Sequence, residues 1–393
     1  MPFSNYIYEY YDGISSGNIT VGKWVRLLYE YIVKGLQEGL FTFNAKKANK
    51  AIRFIENFCH HCEGRTDLLK LELWQKVSVM FGIVEEDGTR VFREVFIVIG
   101  RKNGKTLFAS AVIAYMAYLD GEYGAKIYCL APKLEQANIV YDNFYQMIKK
   151  EPELSDLSKK RRSDIYIEES NTAIKPLAFN AKKSDGFNPH LVVNDEVASW
   201  RGDGGLKQYE VMKSALGARR PQPMILSIST AGYENDGIFD ELMKRSTAFL
   251  KGGSKERRLL PLLYMIDDVE KWNDLEELKK ANPNMGVSVS PDFFKEEIAV
   301  AEMSMSKRAE FLTKYCNIKQ NSSVAWLDYV VVDGAGIHAK LEDFKDSYAV
   351  GGIDLSQTTD LTAASVVIER DGVLYAFAQF FMPANRLETA QAI

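Results

Sequence analysis

Cysteine is scarce in this chain, and no long apolar run occurs. Four cysteines among 393 residues are too few for a disulfide framework and indicate a reducing, cytoplasmic setting. No apolar stretch approaches the roughly 20 residues a membrane helix needs, so no membrane span is expected. The opening MPFSNYIYEYYDG has no basic segment leading into an apolar one, so no export signal is expected. Internal repeats and low-complexity tracts are lacking, which argues against repeat architectures. An excess of basic charge is missing too. At a net charge of −4, any contact with DNA must come from local patches such as Lys159-Lys160-Arg161-Arg162. The plainer reading of that run is a solvated helix end or loop.

What is present is ordinary globular composition, long enough for two or three domains with real cores. Residues 20 to 64 read as amphipathic helices, with TVGKWVRLLYEYIVKGL and NAKKANKAIRFIENF placing apolar side chains at helical spacing. From Glu94 the texture changes. EVFIVIG is a short β-branched run ended by glycine, and TLFASAVIAYMAYLD after it reads as a buried helix. AKIYCLAP is a second strand, followed by the helix LEQANIVYDNFYQMIKK. Strand-like runs recur in IKPLAF, HLVVNDE and MILSISTAG. Apolar strands alternating with helices predict an α/β fold with a mostly parallel sheet covered on both faces, over roughly Arg93 to Gly232.

Downstream, SPDFFKEEIAVAEMSMSKRAEFLTKYCNI opens on Ser290-Pro291-Asp292, a good helix start, and is expected to stay helical throughout. YAVGGIDLS, LTAASVVIER and VLYAFAQFFMP then form three strand-like segments, the last two joined by the hairpin signal Asp371-Gly372. About fifty residues with three strands do not complete a domain, so the chain is expected to be a piece of a longer protein.

The stretch VFIVIGRKNGKT, Val95 to Thr106, resembles a phosphate-binding loop whose first glycine is displaced. The usual G-x-x-x-x-G-K-[ST] spacing would put glycine at Ile99, but Gly100 comes one residue late, followed by Arg101, Lys102 and Asn103. Its setting supports it, because an apolar strand runs into the loop and a helix starts directly after Gly104. That arrangement aims backbone N–H groups and a helix N-terminus at an anion. Lys105 would reach the β and γ phosphates and Thr106 would offer its hydroxyl to Mg²⁺. The alternative is a basic strand-to-helix turn without a ligand.

HLVVNDEVASW carries Asp195-Glu196 at the end of a buried strand. Mg-nucleotide chemistry needs a carboxylate at the end of a strand neighbouring the loop, and a following Glu is placed to polarise an attacking water. The alternative is a helix-capping acidic pair. In ILSISTAG, Ser229 and Thr230 end another apolar strand, where small hydroxyls can sense a γ-phosphate or simply cap the strand.

In order, LELWQKVSVMFGIV, GRKNGKT, DGFNPHLVVNDEVASW, SISTAG, ANPNMGVSV and GGIDLSQTTDLTA resemble the large terminase subunit of tailed bacteriophages, from about residue 10 to the end. The resemblance implies a P-loop NTPase that pumps viral double-stranded DNA into a procapsid using ATP and Mg²⁺, and that also cuts the genome. It implies that Gly100 to Thr106 bind nucleotide, with Arg101 as an added loop cation serving catalysis beside Lys105 and Glu196. Asp195 becomes the magnesium carboxylate, Gln75 the adenine contact, and Ser229, Thr230 and Ala231 the coupling motif. Implied partners are a small terminase subunit, the portal protein and further copies in a ring, in the host cytoplasm and transiently docked on the procapsid.

The same resemblance implies an RNase H-like nuclease after the motor, its first strand ending at Asp354. That residue would be one ligand of a site for two Mg²⁺ or Mn²⁺ ions, which needs three or four carboxylates. Only Asp354 and Asp360 qualify before the end, since Glu369 and Asp371 lie at the far end of the next strand. DNA cleavage by this chain alone is therefore not expected. The expected division is an N-terminal helical segment at 1–64, an ATPase core at 65–265, a helical lid or linker at 266–325, and the beginning of the nuclease domain at 326–393.

Cys59-His60-His61-Cys62 invites a zinc reading, but the four lie within about one helical turn and no second pair is near, so a helix end before Gly64 is expected. Arg219-Arg220 could serve a neighbour's γ-phosphate, a structural role or DNA, and His190 and His338 have no identifiable partners. Three other readings fit the sequence less well. A helicase-like translocase would need a second ATPase domain, an inactive scaffold conflicts with intact Lys105, Asp195 and Glu196, and a small-molecule kinase lacks an acceptor lid.

Overall fold

The computed structural model describes residues 5–179, 186–219, 222–320, 335–336, 339–355 and 362–381. The chain divides into two compact units, Met1–Trp326 and Leu327–Ile393.

The first unit opens with helices α1 (Tyr6–Ser15), α2 (Lys23–Gln37) and α3 (Ala45–Phe58). Asn5 and Asn44 cap α1 and α3 by accepting the N–H groups of Ile7 and Lys47. Helix α2 buries Val25, Leu28 and Ile32, and alongside them Tyr29 and Val33, at the three- and four-residue spacing an amphipathic stripe requires. These side chains join the same apolar core as the sheet. Helix α1 lies within the 1–64 segment expected to be helical, ahead of the two stretches that carry the helical spacing.

The sheet region follows as β1 (Glu94–Val98), α4 (Lys105–Tyr118), β2 (Lys126–Ala131), α5 (Leu134–Lys149), β3 (Ser158–Lys160), β4 (Ile165–Ile167), β5 (Thr172–Ala178), β6 (Leu191–Asp195), α6 (Gly202–Ala215), β7 (Met224–Ser229), α7 (Ile238–Leu250) and β8 (Leu259–Leu263). The described residues make an eight-stranded sheet in the order β8-β1-β7-β6-β2-β5-β4-β3. Pairing is parallel from β8 to β5 and antiparallel at β4 and β3. Strands β1 and β7 are buried along their whole length, and every residue of α4 from Phe108 to Ala117 is buried. Apolar runs that deep have no polar face to show, because helices cover both sides of a parallel sheet. The sheet extends past the expected limit of Gly232. Strand β8, LLPLL, pairs with β1 at the sheet's edge. There Pro261, with no N–H to give, is tolerated.

From Ile266 to Cys316 the chain builds a second, smaller core from Leu278, Phe294, Phe311, Tyr315 and Cys316. The single long helix expected here is two, α8 (Pro291–Met303) and α9 (Met305–Lys314). Ser304 breaks it with extended backbone, φ −148° and ψ 122°, and its hydroxyl pairs with that of Ser306. Serine so placed competes with the helical hydrogen bonds.

The second unit contains β9 (Ala349–Asp354), β10 (Thr362–Arg370) and β11 (Val373–Phe381), each antiparallel to the next. Asp371 and Gly372 have φ 55° and 74°, the hairpin turn the sequence signals. Phe344 packs on Tyr375 and Phe377. Among the described residues no helix is long and apolar enough to cross a membrane.

Candidate active site

Strand β1 runs into the loop 99–104, which closes onto α4 at Lys105. Gly104 sits at φ 78° and Lys102 at φ 66°. The first is a conformation that glycine adopts without strain. The turn delivers the amino end of α4 to the carboxyl edge of the sheet, where its unpaired N–H groups suit an anion. Gln75 Nε2 lies beside Gly104, 3.9 Å from where a Cβ would stand. The side chains of Arg101 and Lys102 are exposed.

Asp195 ends β6, and Glu196 follows in left-handed backbone, φ 48° and ψ 51°, a strained conformation for glutamate that often marks functional turns. The turn brings the Glu196 carboxylate to Lys105, whose Nζ donates to Oε1 at 2.8 Å. The other oxygen, Oε2, accepts the N–H and the hydroxyl of Thr230, each at 3.3 Å. Ser229 behaves differently, its hydroxyl accepting the Ala198 N–H at 3.0 Å and so bracing the turn after Glu196. One expectation needs correcting. Asp195 does not end a strand adjacent to the loop, because β7 lies between β1 and β6. The interposed strand is what carries Thr230 to Glu196.

Burial and the neighbouring Glu196 charge push the Asp195 carboxyl up to about 7, against the pull of Lys105. Burial also raises Glu196, but the charge and hydrogen bond of Lys105, the Thr230 N–H and Arg101 bring it below its ordinary value. Two crowded carboxylates, one of them hard to ionise, form a setting that a divalent cation relieves. Asp195 and the Thr106 hydroxyl, which has no partner among the described residues, are hard oxygen donors of the type Mg²⁺ takes.

A buried amide cluster, of which the sequence reading named Asn103 but missed Asn282 and Asn284, holds the loop from outside. Asn103 is fully buried, and its side chain donates to the carbonyls of Gly100 and Arg101 and to Asn282 Oδ1, at 3.0, 3.1 and 2.9 Å. Asn284 donates its backbone N–H to Asn103 Oδ1 at 2.9 Å. A Cβ at Gly100 would come within 2.9 Å of Asn282 Cγ and 3.1 Å of the Ala281 carbonyl, closer than side chains tolerate. The late glycine of the loop is thus explained by close packing of the lid. Asn282 and Asn284 stand in ANPNMGVSV, where two asparagines flanking a proline were the available signal. Asn317 was also missed. It accepts the Ala231 N–H at 3.1 Å and donates to the Tyr264 carbonyl at 2.7 Å.

Other singled-out residues lie elsewhere. Arg219 binds Glu122 and the carbonyls of Gly124 and Asn188, at 2.6, 2.6 and 2.9 Å. Those residues precede β2 and β6, so it anchors the amino ends of the strands, away from the phosphate loop. Arg220, His338 and Asp360 lie outside the described residues. His190 shares Asp120 with Arg90, at 2.8 and 2.6 Å, in a buried cluster. In the basic run, Lys159 pairs with Glu168, Lys160 lies over Tyr145 and Arg161 pairs with Asp164. His60 turns to the Thr66 carbonyl and Glu151, while Cys62 faces the Asn143 carbonyl. Among the described residues no three His, Cys, Asp or Glu side chains converge as a metal cluster. Asp354 ends β9 opposite Ala363, exposed.

A strand, a glycine-capped turn and a helix, with carboxylates on the next strand but one, define a P-loop ATPase. The family model "Terminase large subunit, ATPase domain" matches residues 74–247, and "Terminase large subunit, endonuclease domain" matches 260–392. The second extends well before the strands where the sequence reading begins the nuclease. The chain is 24% identical over 388 residues to the large terminase subunit of Lactococcus phage p2, covering 92% of this chain and 68% of that protein. It is 29% identical over 216 residues to protein YmfN of Escherichia coli K12, covering 53% and 47%. The crystal structure of the HK97 bacteriophage large terminase shares the fold, with a TM-score of 0.61 at 22% identity over 88% of this chain and 70% of that one. The chain belongs to the terminase large subunit family, whose members are ATPases with an endonuclease domain that package phage DNA. Such domains use a nucleotide and divalent metal ions.

Proposed function

We propose that the carboxyl ends of β1, β7 and β6 form the site that hydrolyses Mg-ATP to drive double-stranded DNA into a procapsid. The observation carrying this reading is the convergence of Lys105 and Thr230 on Glu196. Lys105 and the N–H groups of residues 102–106 hold the phosphates, and Gln75 contacts the adenine. Mg²⁺, held by Thr106 and Asp195, neutralises phosphate charge when bound. The γ-phosphate competes with Glu196 for Lys105, and the freed carboxylate, still held by Thr230, accepts a proton from the attacking water. Arg101 adds a cation at the phosphate end. Ser229, Thr230 and Ala231 pass the change on, since Ala231 is tied to Asn317.

We further propose the division into 1–64, 65–265, 266–325 and 326–393. The separate core of Ile266 to Cys316 and the unit boundary at Trp326 support its last two borders. Asp354 is proposed as one nuclease metal ligand. The small terminase subunit, the portal protein and further copies in a ring are the proposed partners, in the host cytoplasm and at the procapsid. ATP hydrolysis with and without double-stranded DNA, for wild type, Lys105→Ala and Glu196→Ala, tests the site. Both variants are expected to lose turnover. Equal rates in all three would sink the assignment.

A further inference from the structure

We infer that Asn103, Asn282 and Asn284 are positioning residues for nucleotide binding, which makes the lid loop 281–288 part of the ATP site although it falls within the stretch matched by the endonuclease-domain family. This rests on the ATPase reading of the site.

A phosphate loop binds well when its N–H groups are already aimed, because fixing a free backbone at the moment of binding costs conformational entropy. Here the lid does the fixing. The Gly100 N–H donates to the Ala281 carbonyl at 3.0 Å and the Arg101 N–H to the Lys314 carbonyl at 2.8 Å. The Ser288 hydroxyl donates to the Lys102 carbonyl at 2.6 Å. Asn103 takes up the carbonyls of Gly100 and Arg101, so both faces of the loop's first half are satisfied by protein. Asn284 then grips residue 103 twice, through its backbone N–H to Oδ1 and through Nδ2 to the carbonyl at 3.1 Å. Its own Oδ1 accepts the Trp74 indole N–H at 2.6 Å, next to Gln75.

The direction of these bonds matters. The N–H groups of Gly100 and Arg101 point to lid carbonyls, so the N–H groups of residues 102–106 are the ones left to meet phosphate. Asn103, Asn282 and Asn284 are nearly inaccessible, at 0%, 0% and 4% exposure. Buried amides with their donors and acceptors matched specify a single geometry, and breaking one bond strands its partner.

The test measures dissociation constants of ADP and ATP by titration calorimetry on the whole chain, together with kcat at saturating ATP. Asn103→Asp keeps the acceptor for Asn284 but removes all three donations. It is expected to weaken both nucleotides about tenfold, with kcat changed less than about threefold. Ile174→Ala, a core truncation on β5, serves as a stability control and is expected to lower the melting temperature with unchanged affinity. Unchanged affinity in folded Asn103→Asp overturns the inference, as does an equal loss in Ile174→Ala. Should Asn103→Asp not fold, Trp74→Phe removes one bond at the cluster's edge. Nucleotide binding weakened several-fold in that variant supports the inference, and binding like wild type overturns it. If the wild type itself binds neither ADP nor ATP, the ATPase reading falls instead.

Discussion

At the scale of single residues, Thr230 and Glu196 separate binding from chemistry. Thr230→Val deletes a hydroxyl from Glu196 while leaving Lys105 in place. Steady-state kinetics are expected to show kcat reduced about tenfold with nucleotide affinity unchanged. Glu196→Gln cannot accept a proton, and a loss of about 10²–10⁴ in kcat is expected, again with ADP bound as by wild type. A second buried carboxylate is structural. Glu94, at the foot of β1, takes a bidentate bond from Arg245 at 2.6 and 2.7 Å, with Lys213 at 3.1 Å and the Tyr209 hydroxyl also on it. Burial raises this carboxyl, but Arg245, Tyr209 and Lys213 bring it below its ordinary value. A depressed folded value stabilises the protein above the unfolded carboxyl's pKa of about 4.3, and that stability is lost as pH falls through the folded value. Glu94→Gln is expected to cost about 3–5 kcal/mol at pH 7. The gap to wild type should close as the pH drops below about 4, as denaturant unfolding at the two pH values will show.

At the scale of elements, the legible ones were those whose pattern is local. Strands β1, β2, β6 and β7 and helices α2 to α5 were readable because an apolar run or a helical stripe sits inside each. Strand β8 was not, its LLPLL lying past the stretch read as alternating, although IKPLAF was read as a strand across its own Pro176 in β5. The split of α8 from α9 was missed because both halves keep helical spacing, and only the extended backbone of Ser304 separates them. The β10–β11 hairpin was read correctly from Asp371-Gly372. Gly372 has open space around it, so Gly372→Ala carries only the conformational cost of φ 74°, about 1 kcal/mol. A drop of that size in unfolding free energy is expected, whereas a loss of several kcal/mol would mean that the side chain meets something.

At the scale of the whole molecule, the residues proposed for the ATP site and those that hold its loop come from two cores. Lys105, Thr106, Asp195 and Glu196 belong to the sheet, while Ala281, Asn282, Asn284 and Lys314 hold the loop from the lid. A chain of residues 1–265 keeps every residue assigned to nucleotide chemistry. It is nevertheless expected to bind ADP at least about tenfold more weakly than residues 1–326, checked by calorimetry on both. Equal affinity would show that the sheet alone sets the loop.

The amino-acid sequence by itself determined the strand–loop–helix of VFIVIGRKNGKT, the carboxylate pair Asp195-Glu196, the alternating architecture and the terminase family. Each of these is written in residues close together along the chain, or in the order of such motifs. Tertiary structure alone decided that β7 intervenes between the loop and Asp195, that Thr230 rather than Ser229 touches Glu196, and that Arg219 anchors the strands' amino ends. It also decided why Gly100 is glycine. Asn103 and Asn282 stand 179 positions apart in the chain, and no spacing rule links residues that distant. Only when the lid folds against the sheet does a buried amide meet its partner, and the cost of leaving it unpaired then determines what the loop can be.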